Sequence, residues 1–156
     1  MNAKGQRENF IDIMAGFTVY TGKYLPDDVH AKLKELREKE DSALATIVYD
    51  AMFEDLRLAH ELERPLCQDT GVIQYFIQVG TGFPLIDQME ECLVEAVKKA
   101  TVLGPLRHNA VEVFDEKNTG NNVGKRIPWI DWEIVPDNDE ATVYVYMAGG
   151  GCSLPG

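Results

Sequence analysis

The residues that decide the fold are Cys67-Gln68-Asp69-Thr70-Gly71-Val72-Ile73-Gln74-Tyr75-Phe76-Ile77-Gln78-Val79, where helical patterning stops and a strand begins. From Val72 to Val79 the side chains alternate, with Ile73, Tyr75, Ile77 and Val79 on one face. A period of two predicts a half-buried strand. What precedes it reads as helix. Phe10, Ile13, Met14 and Phe17 fall on one face of a first helix. A second opens at Leu25-Pro26-Asp27-Asp28, where the fixed φ of proline and two carboxylates suit a first turn with open N–H groups. It carries Val29, Leu33 and Leu36 inward and ends in a charged run. A third begins near Asp41-Ser42 and presents Leu44, Ile47, Val48, Ala51 and Leu56.

After the strand, Leu85 to Val102 predicts a fourth helix, with Leu85, Met89, Leu93, Ala96, Val97 and Ala100 on one side and Glu90, Glu91, Glu95, Lys98 and Lys99 elsewhere. Cys92 lies inside it and reads as a small buried hydrophobe. Ile130, Trp132 and Ile134 alternate with Asp131 and Glu133, Pro136-Asp137-Asn138-Asp139 supplies turn chemistry, and Thr142 to Met147 alternates again. Those last two runs read as a hairpin. The expected class is α+β with a mixed α/β sheet: N-terminal helices, then a mixed β-sheet with an inserted helix.

The 156 residues suffice for one domain with its own core. No run of eighteen apolar residues exists, so no membrane span is expected. The N-terminal Met1–Phe17 is interrupted by Asp12 and has helical spacing, which argues against a signal peptide and for a cytoplasmic location. The net charge of -11 disfavours nucleic acid and anionic membrane as partners. It leaves room for a small anionic substrate at a locally basic site; the plainer reading of the charge is solubility. Cys67, Cys92 and Cys152 are odd in number, widely spaced and without a CxxC pair, so they do not form a disulfide framework.

Three segments carry polar residues that a core does not need. The first is Arg64-Pro65-Leu66-Cys67-Gln68-Asp69-Thr70-Gly71, between a helix and a strand. Cys67 reads as a half-buried structural cysteine, a nucleophile without a histidine nearby in sequence, or one thiolate ligand of an iron–sulfur cluster. The second is Pro105-Leu106-Arg107-His108-Asn109-Ala110-Val111-Glu112, running on to Asn118-Thr119-Gly120-Asn121-Asn122. Arg107 has a fork that matches a carboxylate, or forms a surface ion pair. His108 is an acid or base near neutral pH, or a structural imidazole. Asn118 to Asn122 suits a tight polar turn. The third is Met147-Ala148-Gly149-Gly150-Gly151-Cys152-Ser153-Leu154-Pro155-Gly156, whose glycines allow close backbone approach to a ligand, or form a flexible tail.

These segments, in this order, together with Leu25-Pro26-Asp27-Asp28 and the strand from Pro128 to Asp139, resemble the α subunits of the L(+)-tartrate dehydratase and class I fumarase family. Residues 67–71 (CQDTG) and 118–122 (NTGNN) are specific together, while 106–112 (LRHNAVE) and 149–156 (GGGCSLPG) lean toward tartrate dehydratase. The resemblance implies a hydro-lyase with a [4Fe–4S] cluster held by three cysteines, its open iron acting as a Lewis acid on the substrate carboxylate and departing hydroxyl. It matches Cys67 to the first ligand. It matches Gln68 and Asp69 to the substrate site, Asp69 there orienting or protonating the leaving oxygen. Arg107 matches a substrate-carboxylate arginine, and Gly149, Gly150 and Gly151 match backbone beside the substrate.

No cluster role carries over to Cys92 or Cys152. The family's other two cluster cysteines follow the glycine loop, beyond Gly156. Residues 1–156 are therefore expected to be an incomplete N-terminal part of the α catalytic domain, inactive alone and completed in a hetero-oligomer with a β subunit. The expected reaction is dehydration of L(+)-tartrate, a dicarboxylate, to oxaloacetate. The alternatives are interconversion of fumarate and malate, and a non-catalytic carboxylate-binding or assembly domain.

Overall fold

The computed structural model describes residues 3–150. Three helices come first: α1 (Ala3–Lys23), α2 (Asp27–Lys39) and α3 (Ala43–Glu61). Strand β1 (Val72–Gly80) follows, then a 3₁₀ turn at Ile86–Gln88 leading into α4 (Met89–Leu103). Strands β2 (Trp129–Val135) and β3 (Ala141–Ala148) complete the order. The sheet runs β2-β1-β3, with β2 parallel and β3 antiparallel to the central β1. The α+β expectation with an inserted helix holds.

Helices α1 and α4 cover one face of the sheet. Ile73, Tyr75, Ile77 and Val79 are buried there with Met89, Leu93, Ala96, Val97 and Ala100. Full burial of one such large side chain contributes about 1.5–3 kcal/mol. Tyr75 brings a polar atom into this core, and its hydroxyl lies 2.7 Å from Thr18 Oγ1. Thr18 already donates its proton to the Met14 carbonyl at 2.8 Å. Tyr75 is therefore the donor to Thr18, and neither group is left unpaired. Cys92 is buried in α4, as its position in the pattern predicts.

The expected hairpin is not formed. β2 and β3 are antiparallel to each other, but β1 lies between them and pairs with both. Local alternation and turn residues report that the chain reverses; they do not report that a distant strand fills the gap. The 136–140 loop instead crosses the end of β1. Gly80 N donates to Glu140 O at 2.8 Å, Thr81 N to Val135 O at 3.1 Å, and Gly82 N to Asn138 O at 2.8 Å. A Cβ on Gly80 would lie 2.1 Å from Asn138 O, so glycine is what lets the crossing loop settle on the strand end.

Three helix faces also differ from expectation. In α1, Met14, Ala15 and Thr18 face the core, whereas Ile13 and Phe17 are exposed. The small side chains are the ones that allow close approach: a Cβ on Gly104, at the end of α4, would meet Val19 at 2.9 Å. In α2, Val29 and Leu36 point outward and no residue is buried. In α3 only Ala59 is buried, and Leu44, Ile47 and Val48 are exposed. Both helices start where expected: Pro26 caps α2, and Ser42 Oγ accepts from Ala45 N at the start of α3. They touch through a His30–Phe53 ring contact and an Arg37–Asp50 ion pair. Periodicity identified apolar faces on these helices, but it carries no information about what covers them.

Candidate functional site

The 64–71 segment leaves α3 and turns into β1. It is tied to α1 at its start, where Leu66 N donates to Gly22 O at 2.9 Å and Lys23 pairs with Glu63. At its end Gly71 has φ +73°, and a Cβ there would lie 2.2 Å from Ala148 O. A left-handed backbone in van der Waals contact with another strand admits only glycine. The β3 exit, with Gly149 and Gly150, is thereby held against the 64–71 segment.

Asp69 sits at this junction. Its Oδ2 accepts the Gly150 amide at 2.7 Å and its Oδ1 accepts the Gly71 amide at 3.0 Å. Asn109 Nδ2 donates to the same Oδ1 at 3.2 Å and to Gly71 O at 3.1 Å. The Gly150 and Gly71 amides, then the charge of Arg107 and the Asn109 amide, hold the Asp69 carboxyl below its ordinary range; partial burial opposes them. Near neutral pH it is an ionised acceptor. That condition suits orientation of a donor better than delivery of a proton.

Beside Asp69 opens a cleft of about 420 Å³ lined by Pro65, Cys67, Gln68, Thr70, Pro105 and Arg107. Cys67 is exposed there, not sealed in apolar packing. Arg107 is exposed and close enough to act on Asp69 electrostatically, yet it forms no salt bridge among the described residues. The surface ion pair weighed for it is not what it makes. Its backbone carbonyl accepts from Thr70 Oγ1 at 3.4 Å, which joins the two sides of the cleft. On the other side of the segment a smaller hollow of about 160 Å³, bordered by Thr21, Gly22, Leu66 and Met147, also reaches Cys67, Asp69 and Thr70. His108 is exposed, and its carbonyl accepts from the Asn118 side chain.

The structure therefore brings together Cys67, Gln68, Asp69, Arg107, Gly149 and Gly150, drawn from segments up to 81 residues apart. Gly151 and Cys152 lie outside the described residues. Two participants were not singled out in the sequence: Asn109, which bridges Asp69 and Gly71, and Asn122, whose Oδ1 accepts the Asn109 amide at 2.7 Å. The available signal was the density of asparagines in residues 118–122, which reads as turn chemistry. Turns do form there: Asn118 Oδ1 accepts from Gly120 N and Asn121 Oδ1 from Val123 N.

As a metal centre this chain supplies little by itself. Among the described residues no group of three or more His, Cys, Asp or Glu could hold a metal ion. Cys92 is enclosed in α4, which leaves Cys67 as the one accessible thiol of that set. The described donors do not fit a complete iron–sulfur cluster.

A basic fork, an amide and a fixed carboxylate gather around an open cleft, carried on a mixed sheet backed by two helices. The chain belongs to the fumarate hydratase (Fumerase) family, whose model matches residues 11–156. It is 52% identical over 145 residues to "L(+)-tartrate dehydratase subunit alpha" of Escherichia coli K12, covering 93% of this chain and 48% of that protein. The Shigella boydii protein of the same name matches with the same figures. A "Putative L(+)-tartrate dehydratase subunit alpha" of Methanocaldococcus jannaschii is 37% identical over 131 residues, covering 82% of this chain and 46% of that protein. The chain thus spans about half the length of the relatives it matches. No helix among the described residues is long and apolar enough to cross a membrane.

Proposed function

We propose that this chain is the N-terminal part of the α subunit of an iron–sulfur hydro-lyase, acting in the cytoplasm on L(+)-tartrate to give oxaloacetate. The observation that carries the reading is the convergence of Cys67, Gln68 and Arg107 on one open cleft with the Asp69 carboxylate beside it, in a chain similar to tartrate dehydratase α subunits. In this reading the Arg107 fork takes one substrate carboxylate through two parallel hydrogen bonds, and Gln68 donates to a second oxygen. Asp69, held ionised, accepts from the substrate hydroxyl and fixes its direction. Gly149, Gly150 and Gly151 bring backbone against the bound acid. Cys67 supplies one thiolate of a [4Fe–4S] cluster, with the remaining ligands from residues outside those described here. A β subunit completes the site as part of a hetero-oligomer. Interconversion of fumarate and malate is the second reading, favoured by the family match.

The test is a titration of the purified chain with L-tartrate, L-malate and succinate, followed by amide chemical shifts. Saturable shifts at Gln68, Arg107 and Gly149 are expected, with tartrate or malate tightest. Arg107→Lys should weaken binding about tenfold, because a point charge cannot reproduce the fork. Absence of shifts with all three acids would remove the carboxylate assignment. Turnover of tartrate against fumarate by the full α and β assembly then decides between the two reactions.

A further inference from the structure

Asp69 has three donors, and one of them leads deep into the core. Asn109 Nδ2 reaches both Asp69 Oδ1 and Gly71 O. The Asn109 backbone amide is itself held by Asn122 Oδ1 at 2.7 Å. Asn122 is buried, and its Nδ2 donates to Thr101 Oγ1 at 3.2 Å. Thr101 is buried in the last turns of α4 and donates to Val97 O at 2.8 Å. The links form one unbroken line from the buried face of α4 to the Asp69 carboxylate beside the cleft. Both ends of the Asn122 side chain, and the Asn109 side-chain N–H groups, are engaged along it.

The backbone at Asn122 adds a second observation. Its φ is +56°, a left-handed conformation that few residues other than glycine and asparagine take readily. Glycine would satisfy that backbone equally well, with lower cost in strain. Glycine could not hold Asn109. Asparagine is the residue that meets both demands.

We infer that Asn109 and Asn122 are positioning residues: through them α4 sets the direction of the Asp69 carboxylate and the seating of the 69–71 backbone beside the cleft. Asn109 meets the cleft lining only through Thr70 Oγ1, at 3.5 Å, and neither asparagine lines the cleft itself, so neither is a catalytic residue. The consequence for function rests on the carboxylate reading given above; the positional claim does not. A buried amide in a low-dielectric setting is directional, and leaving one end unpaired disturbs the whole line. The Asp69 oxygens would then be free to rotate away from the Gly71 and Gly150 amides.

The experiment is amide hydrogen exchange on the 156-residue chain, comparing wild type with Asn109→Ala, Asn122→Gly and Asn122→Asp. Protection of the Gly71 and Gly150 amides should fall about tenfold in the first two variants, the size expected for loss of one buried hydrogen bond. Protection of the Ala96, Val97 and Ala100 amides in α4 should not change. Asn122→Gly keeps the backbone conformation, so its loss reports the side chain alone. Asn122→Asp keeps an oxygen for the Asn109 amide but loses the donor to Thr101 and buries a charge, so its protection should fall between those of Asn122→Gly and wild type. Unchanged protection at Gly71 and Gly150 would overturn the inference. Equal losses at α4 would also overturn it, since the residues would then be serving the fold in general. Titration of wild type with L-tartrate runs in parallel: no binding there sinks the carboxylate reading and leaves the exchange result to decide the positioning role.

Discussion

At residue scale the informative groups are those whose charge or hydroxyl is held by named neighbours. Asp69 is an ionised acceptor because the Gly150 and Gly71 amides and the nearby Arg107 charge favour its anion. Its folded pKa is lowered, so the stability it contributes is present above the unfolded value, about 3.9, and is lost as pH falls through the folded value. Acid unfolding of the wild type should therefore steepen below about pH 4, and Asp69→Asn should flatten that limb. Superimposable acid limbs for the two proteins would contradict the bonding described. Tyr75 behaves in the opposite sense. Burial pushes its phenol up to about 12, with the Thr18 hydrogen bond opposing. The unfolded phenol ionises near 10, so the native state loses stability between about pH 10 and 12. The loss is on the order of 2 kcal/mol, and Tyr75→Phe should abolish most of it in urea melts across that range.

At the scale of elements, the helix and strand patterns were readable wherever a side chain's neighbours are local. The inward faces of β1 and α4 were legible because Ile73, Tyr75, Ile77 and Val79, and Met89 to Ala100, obey the two backbone periods. The strand order was not legible, because insertion of β1 between β2 and β3 depends on pairings with residues far away in sequence. Gly80 makes that crossing possible, and it offers a direct check. Gly80→Ala would force its Cβ against the Asn138 backbone, 2.1 Å away, and should destabilise by about 1–3 kcal/mol. Gly82→Ala meets the same oxygen at 3.2 Å and should cost less, about 0.5 kcal/mol. Urea unfolding of both variants reads the difference. Equal costs would show that the loop does not bear on the strand end as described.

At the scale of the whole molecule, the body is well packed on one side and bare on the other. Phe76, Trp129, Tyr144 and Tyr146 stand exposed on the sheet face away from α1 and α4, and Leu44, Ile47 and Val48 stand exposed on α3. Exposed apolar side chains grouped on one element favour association even in a chain with net charge -11. The isolated chain should therefore show a sedimentation coefficient that rises with concentration. The double variant Leu44→Glu, Ile47→Lys should remove much of that rise while shifting Tm by less than about 2 °C, since neither side chain is buried. A wild type that sediments as a monomer at all concentrations would show that these faces do not associate.

The sequence by itself determined the alternation of β1, the buried stripe of α4, and the polar segments that hold Cys67, Gln68, Asp69 and Arg107. Backbone geometry alone imposes the periods of strand and helix, so these were open to reading one segment at a time. Tertiary structure alone decided that β1 is central, that α1 buries Met14 and Ala15 in place of Ile13 and Phe17, and that Asn109 and Gly150 converge on the Asp69 carboxylate. Those outcomes rest on hydrogen bonds and close packing between segments 40 and 81 residues apart, and such contacts leave no periodic trace in either segment.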